Sequence, residues 1–412
     1  MRSLAVLSLH TSPLAQPGTG DGGGMNVYVR ELSSALARAG VACHVYTRAW
    51  SESLPAVVAV EPGLRVHHVP AGPLAPVPKE QLRGLVDEFV EGVLCRVKGT
   101  AGIPDAIHAN YWLSGIAGHV LKHELGVPLA STFHTLARVK AESSPEELGA
   151  DEPTHRAHAE AHVIGCSDAV LASCAVEADQ ITELYDADPE RVYVVAPGVD
   201  HAFFAPGHGP QARRALGLPA SGPMLLFVGR IQPLKGVDVA VHALAALEGH
   251  TDAFLAVVGG PSGPQGHTEV SRLRALVRTL GLEERVRFLA PQPHELLSTY
   301  YRAADVCVVP SRSESFGLVA LEAAACGTPV VAAAVGGLRT LVDHAETGFL
   351  VETRDPADYA AYIAEILDHP RLARDMSTRA AQRARRYTWS TAAGELRRLY
   401  ATLTERQLVD CP

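Results

Sequence analysis

The stretch SLAVLSLHTSPLAQPGTGDGGGMNVYVRELSSALARA, residues 3–39, holds a complete structural unit. Its apolar run at 3–9 reads as a β-strand, and residues 25–39 repeat apolar positions at helical spacing. Between them, five glycines fall within the seven positions from 18 to 24. Glycine lacks a Cβ, so backbone N–H groups there can come close to a phosphate. His10, Asp21 and Asn26 add polar groups that a purely structural turn does not need. Strand, glycine-rich loop and helix open a parallel α/β sheet, whose ligands sit beyond the carboxyl end of the first strand.

The same alternation continues outward. Strands are expected at 42–47, 64–69, 105–109, 128–132, 169–172 and 192–195, with helices at 79–97 and 113–124 among them. The segment PGVDHAFFAPGHGPQ, residues 197–211, breaks the pattern with proline and glycine and reads as a linker. Strands then resume at 224–229, 254–258, 286–289, 306–309, 330–333 and 348–351. Helices are expected at 237–247, 271–280, 295–304, 317–325 and 356–368. The class is therefore α/β: two Rossmann-like domains facing across a cleft, at 1–200 and 201–385. The helical tail 371–408 is expected to pack back, with 386–412 returning to the N-terminal domain.

Bulk composition narrows the function classes. The 412 residues suit two domains, and the net charge of −9 argues against nucleic acid or an anionic membrane as partner. No run reaches the ~20 apolar residues of a membrane span, and the N-terminal run ends too early for a signal peptide. Seven scattered cysteines, none in Cys-x-x-Cys spacing, read as reduced thiols of a cytoplasmic protein without a zinc site.

Two motifs in the second half carry charge. In FVGRIQPLKG, residues 227–236, Arg230 and Lys235 follow a strand and precede a helix, where two cations can neutralise a diphosphate. In ESFGLVALE, residues 314–322, Glu314 precedes a helix start and Glu322 lies within it. The N-terminus of that helix offers N–H groups to phosphate, leaving the glutamates to meet sugar hydroxyls and a ribose. Taken singly, the first motif reads equally as two solvated loop cations, and the second as an acidic cap and a surface glutamate.

Together, Gly-Arg-x4-Lys and Glu-x7-Glu resemble the retaining glycosyltransferases of family 4, which have the GT-B fold. The N-terminal loop, NYWLSG (110–115), FHTLARVK (133–140) and VGGPSG (258–263) are similar to the branch that uses an inositol phosphate in mycothiol biosynthesis. The resemblance implies transfer from UDP-N-acetylglucosamine to 1D-myo-inositol 3-phosphate, with no cofactor required for catalysis. It places Gln16, Pro17, Gly24, Arg230, Lys235, Gln292, Glu314 and Glu322 at the donor. It places His10, Asp21, Asn26, Lys79, Tyr111, Thr135 and Arg156 at the acceptor, and His134 near the reacting centre. A structural Mg²⁺ beside Tyr301, Arg302, Ala304 and Thr328, and a homodimer, are implied in the same way. The chain departs from the pattern at Asn110, where the family has histidine, at Gln292, where arginine is common, and along 141–154. Other readings of the same motifs are a different small acceptor (a natural-product cyclitol, a thiol or a sugar phosphate, as in sucrose-phosphate synthases), a GT-B epimerase, or a non-catalytic paralogue.

Overall fold

The opening unit forms as strand β1 (Ser3–Leu7), a loop, and a helix from Gly24 to Arg38 whose buried face carries Val27, Tyr28, Leu32 and Leu36. This is a computed structural model, and it describes residues 1–143, 152–263 and 265–411. Residues 144–151, within the stretch that departs from the family, lie outside the described residues.

After β1 the first sheet contains β2 (Ala42–Arg48), β3 (Val57–Glu61), β4 (Leu64–Val69), β5 (Ala106–Asn110), β6 (Leu129–Thr132), β7 (Ala169–Ala172) and β8 (Val192–Val194). Their spatial order is β3-β4-β2-β1-β5-β6-β7-β8, parallel except for β3. Every residue of β5, β6 and β7 is buried, as expected of parallel strands covered on both faces. The second sheet contains β9 (Met224–Val228), β10 (Phe254–Val258), β11 (Val286–Leu289), β12 (Val306–Val309), β13 (Val330–Ala333) and β14 (Gly348–Val351). It runs β11-β10-β9-β12-β13-β14 and is wholly parallel.

In each sheet the strand order reverses once beside the first strand. That switch point, where crossover helices leave to opposite faces, opens a crevice at the carboxyl strand ends. In the first unit it lies between β1 and β5, and in the second between β9 and β12.

Contacts divide the chain into two compact units. One is Met1–Ala15, Met25–Gly198 and Trp389–Pro412; the other is Gln16–Gly24 with Val199–Thr388. The loop 16–24, expected to belong to the first domain, groups with the second for a steric reason. A Cβ on Gly23 would stand 3.2 Å from Arg230 Nε, and the Gln16 side-chain amide donates to the Pro291 carbonyl at 3.0 Å.

Three further details add to the sequence reading. Strand β3, Val-Val-Ala-Val-Glu, is an apolar run that the sequence reading passed over; it pairs only with β4 at the sheet edge and stays partly exposed. The helix expected at 79–97 starts as a 3₁₀ turn, Lys79–Leu85, before the α-helix Val86–Arg96. The tail is two helices, Pro370–Ala384 in the second unit and Trp389–Thr404 in the first. The latter is pinned at the centre of its unit, where Tyr400 OH lies 2.8 Å from His108 Nδ1 and Trp389 meets Tyr28 edge-on at 5.9 Å. Beyond it, the buried Lys122 ammonium donates to the Val409 carbonyl at 2.8 Å and to the Asp168 carboxylate at 3.0 Å.

Candidate functional site

The switch point of the second unit collects the charged residues expected at a donor. Arg230 leaves β9 and donates to Ser262 Oγ at 3.3 Å, its stem lying against Gly23. Lys235 closes the 3₁₀ turn Pro233–Lys235 and forms an ion pair with Glu314, which follows β12. Ser311 Oγ donates to the same carboxylate oxygen at 3.0 Å. Both partners are largely withdrawn from water, with side-chain exposures of 20% and 17%, so the pair is weakly screened.

The helix Leu318–Ala325 begins behind Gly317, whose φ of +99° is one that few side chains adopt. A Cβ there would also lie 2.6 Å from Leu338 Cδ2, so this glycine fixes where the helix N–H groups emerge. Glu322 on that helix is buried, with His294 Nε2 at 2.7 Å from one carboxylate oxygen and Tyr301 OH donating to the other at 2.8 Å. Sequence reasoning missed His294, because its partner lies 28 positions away and no spacing signals it. Gln16 is exposed and Pro17 partly buried on the 16–24 loop, and Gly24 opens the first helix. The Gln292 side-chain amide donates to Ala290 O at 2.8 Å.

The switch point of the first unit collects most of the expected acceptor residues. His10 follows β1 and Tyr111 follows β5, so the two adjacent strands deliver their rings side by side, with centroids 4.4 Å apart. Over the Tyr111 ring lie Lys79 Nζ, 5.9 Å from its centre, and Arg156 Cζ at 4.9 Å. Arg156 is fixed from behind: Nε donates to buried Glu160 at 2.7 Å, and Nη2 donates to the Thr135 carbonyl and hydroxyl at 2.7 and 2.9 Å. Glu160 also accepts from Ala137 N and Tyr185 OH. It is a positioning residue that the Arg-x3-Glu spacing on one helix could have revealed.

Two residues here hold backbone angles that bulky side chains rarely adopt, Tyr111 at φ +76° and His134 at φ +62°. Such strain costs of order 1–3 kcal/mol each and persists where surrounding structure imposes it. The His134 ring packs edge-on to Tyr28 at 4.8 Å, and its Nε2–H donates to Asn110 Oδ1 at 2.9 Å. Burial first, and His108 second, push the His134 pKa down to about 3, so the ring is neutral at pH 7.

Two expected acceptor residues lie elsewhere. The Asn26 side-chain amide donates to Thr11 Oγ1 and the Ser12 carbonyl at 2.8 and 2.6 Å, so it holds the chain after His10. Asp21 is exposed on the 16–24 loop and belongs to the second unit.

The residues implied for a structural Mg²⁺ do not fit one. The Tyr301 carbonyl already accepts from Thr328 Oγ1 at 2.6 Å and from Ala304 N at 3.1 Å. The Arg302 guanidinium caps the neighbouring Phe203 and Ala205 carbonyls at 3.0 and 3.4 Å. None of the four side chains is a carboxylate, which a hard dication with oxygen ligands would favour.

Comparison with known proteins decides the family. Residues 22–203 match the Glycosyltransferase Family 4 domain and residues 210–383 the domain of Glycosyl transferases group 1. A protein of Catenulispora acidiphila named D-inositol 3-phosphate glycosyltransferase 2 is 47% identical over 98% of this chain and 96% of its own length. The chain belongs to glycosyltransferase family 4.

The solved sucrose-phosphate synthase of Thermosynechococcus elongatus superposes on this glycosyltransferase with a TM-score of 0.91. It is 35% identical, over 98% of this chain and all of that one. Anabaena HepE, solved with UDP-glucose, has a TM-score of 0.75 at 21% identity, over 98% of this chain and all of its own. The fold of the glycosyltransferase is thus GT-B. Among its described residues, no helix is long and apolar enough to cross a membrane.

Proposed function

We propose that this glycosyltransferase moves N-acetylglucosamine from UDP-N-acetylglucosamine to 1D-myo-inositol 3-phosphate, with retention at the anomeric carbon. The observation that carries this reading is the group around Tyr111, with Lys79 and Arg156 over its ring, His10 beside it and Thr135 bonded to Arg156. Two cations with hydroxyl and imidazole groups suit a compact polyol that bears a phosphate. The names of the relatives support the acceptor, and HepE, solved with UDP-glucose, supports a uridine diphosphate sugar as the donor class.

In the proposed reaction the acceptor hydroxyl attacks the anomeric carbon on the face the diphosphate leaves. A leaving phosphate oxygen takes its proton, so no side-chain nucleophile is needed. Arg230, Lys235 and the helix start behind Gly317 stabilise charge developing on the diphosphate. Donor binding draws Lys235 from Glu314 to the phosphate, which releases the Glu314 carboxylate to orient sugar hydroxyls. Glu322 takes the ribose by exchanging His294, the partly exposed partner, while Tyr301 keeps its hold. Neutral His134 acts by hydrogen bonding, because a ring with so low a pKa is a poor proton donor at pH 7.

The experiment is UDP release from UDP-N-acetylglucosamine with inositol 3-phosphate, neutral myo-inositol or fructose 6-phosphate as acceptor. The proposal expects turnover with the first. Turnover only with the sugar phosphate would favour the second reading, a synthase-like acceptor, which the 0.91 TM-score to sucrose-phosphate synthase keeps in view.

A further inference from the structure

Away from the sites above, the first unit gathers three histidines and two cysteines. His119 and His123 share one face of the helix Trp112–Leu125, and His162 and Cys166 share one face of the helix Glu152–Cys166, each pair at i, i+4 spacing. The two helices cross closely, because a Cβ on Gly115 would lie 2.6 Å from Val163 Cγ1. One turn past Gly115 and one residue before Val163, the His119 and His162 rings meet edge-on at 4.9 Å. The His123 ring lies 5.1 Å from His119. The C-terminal tail adds Cys411, whose Sγ is 3.2 Å from His123 Nε2. That tail is held by Val409 N donating to Asp168 at 2.7 Å, besides the bond from Lys122 to the Val409 carbonyl.

We propose that His119, His123, Cys166 and Cys411 form a four-coordinate zinc-class metal site, with His162 packed beside it, that clips the C-terminal tail to the two helices. Donor atoms of His119, His162 and Cys166 all lie within 4.8 Å of one another, as do those of His119, His123 and Cys411, so His119 is common to both sets. Imidazole and thiolate with no carboxylate select a borderline-soft cation over Mg²⁺ or Ca²⁺. Zinc bonds of about 2.0–2.3 Å place tetrahedral ligands roughly 3.3–3.8 Å apart, a spacing that side-chain rotation reaches from here. Two thiolates neutralise the dication, while the nearby buried cation Lys122 is already paired with Asp168.

The absence of Cys-x-x-Cys spacing hid this site, because its ligands are spaced for helix faces and a tail. The clip also bears on the first-unit switch point. One of its helices starts directly after Tyr111, and the other carries Arg156. His119 stands eight residues past Tyr111, about 12 Å along the helix, so the metal stiffens the support without touching substrate. This inference is independent of the proposed substrates.

The test uses the full chain with any affinity tag removed, its thiols reduced and its metals stripped, titrated with Zn²⁺ and in parallel with Co²⁺. One equivalent of Zn²⁺ is expected to bind and raise the thermal midpoint, and the Co²⁺ form to show tetrahedral visible bands with a thiolate charge-transfer band. His119→Ala is expected to weaken Zn²⁺ binding more than about 100-fold, since loss of supporting groups alone costs 10–100-fold. His123→Asn and Cys411→Ser, at more accessible positions, are expected to lower affinity in a folded protein, and the cysteine change to reduce the charge-transfer band. Substoichiometric uptake, a Co²⁺ spectrum without thiolate character, or unchanged affinity in these variants would overturn the proposal.

Discussion

The guanidinium carbon of Arg156 lies 4.9 Å from the centre of the Tyr111 ring. The ring bears a cation that Glu160 also holds, and it is itself held at a positive φ. A desolvated cation–π contact is worth about 2 kcal/mol. Tyr111→Leu removes the ring face, so its KM for inositol phosphate should rise roughly 10–30-fold. Tyr111→Phe keeps the face and should stay within a few-fold. Steady-state kinetics with each substrate varied checks this, and an equal loss in donor KM would count against it.

Lys79 offers a cleaner test of acceptor charge than Arg156. Removing Arg156 would strand Glu160, a fully buried carboxylate, at a cost of about 3–5 kcal/mol in stability. Lys79 is partly exposed at the first residue of its 3₁₀ turn. Lys79→Ala should raise KM for inositol phosphate at least ~10-fold, the low end for a charge-assisted hydrogen bond, with Lys79→Arg restoring most of it. Turnover of neutral myo-inositol, however slow, should be unchanged. Equal losses on charged and neutral acceptors would show that Lys79 does not meet the phosphate.

The Lys235–Glu314 pair separates the two donor roles. Lys235→Ala should cut kcat by about 10²–10³, the usual cost of losing one preorganised group that stabilises transition-state charge. Glu314→Gln frees Lys235 for the diphosphate, so UDP should bind as well or better while sugar transfer falls. Calorimetric UDP affinity beside kcat tests this. Weaker UDP binding in Glu314→Gln would refute the exchange of partners.

Stability should fall in mild acid, with His108 as one identifiable cause. Burial pushes its pKa down to about 3, whereas the unfolded chain protonates near 6.5. Between those values the unfolded state binds more protons, so the penalty is absent above about pH 6.5 and grows as pH falls toward 3. At pH 5 it amounts to about 2 kcal/mol. Urea unfolding at pH 7.5 and 5.0 should therefore show a smaller acid loss in His108→Gln than in the parent. Equal losses in the two proteins would remove His108 from the explanation.

How much was legible in the sequence follows from which contacts are local. Buried parallel strands such as β9 and β10 are continuous apolar runs, and they stand out. Edge strand β3, Val-Val-Ala-Val-Glu, is apolar too but was passed over, and at the sheet edge it stays partly exposed. Arg230, Lys235 and Glu314 were found because strand-to-helix loops carry short charged motifs. The pairing of Lys235 with Glu314 depends on β9 lying beside β12, which is a property of sheet order. His294 and the His119 group escaped for the same reason, since their partners converge only after the helices pack, whereas the local Arg156-x3-Glu160 spacing was there to be read. The 16–24 loop reads as a phosphate floor from its glycines, yet Gly23 also serves to let Arg230 lie close.

The most direct test is the product formed from UDP-N-acetylglucosamine and 1D-myo-inositol 3-phosphate, weighed by mass spectrometry and its linkage read by NMR. A single N-acetylglucosaminyl-inositol phosphate with the α-configuration of the donor is the predicted result. Donor hydrolysis without that product, or a β-linkage, would contradict retaining transfer to an inositol phosphate.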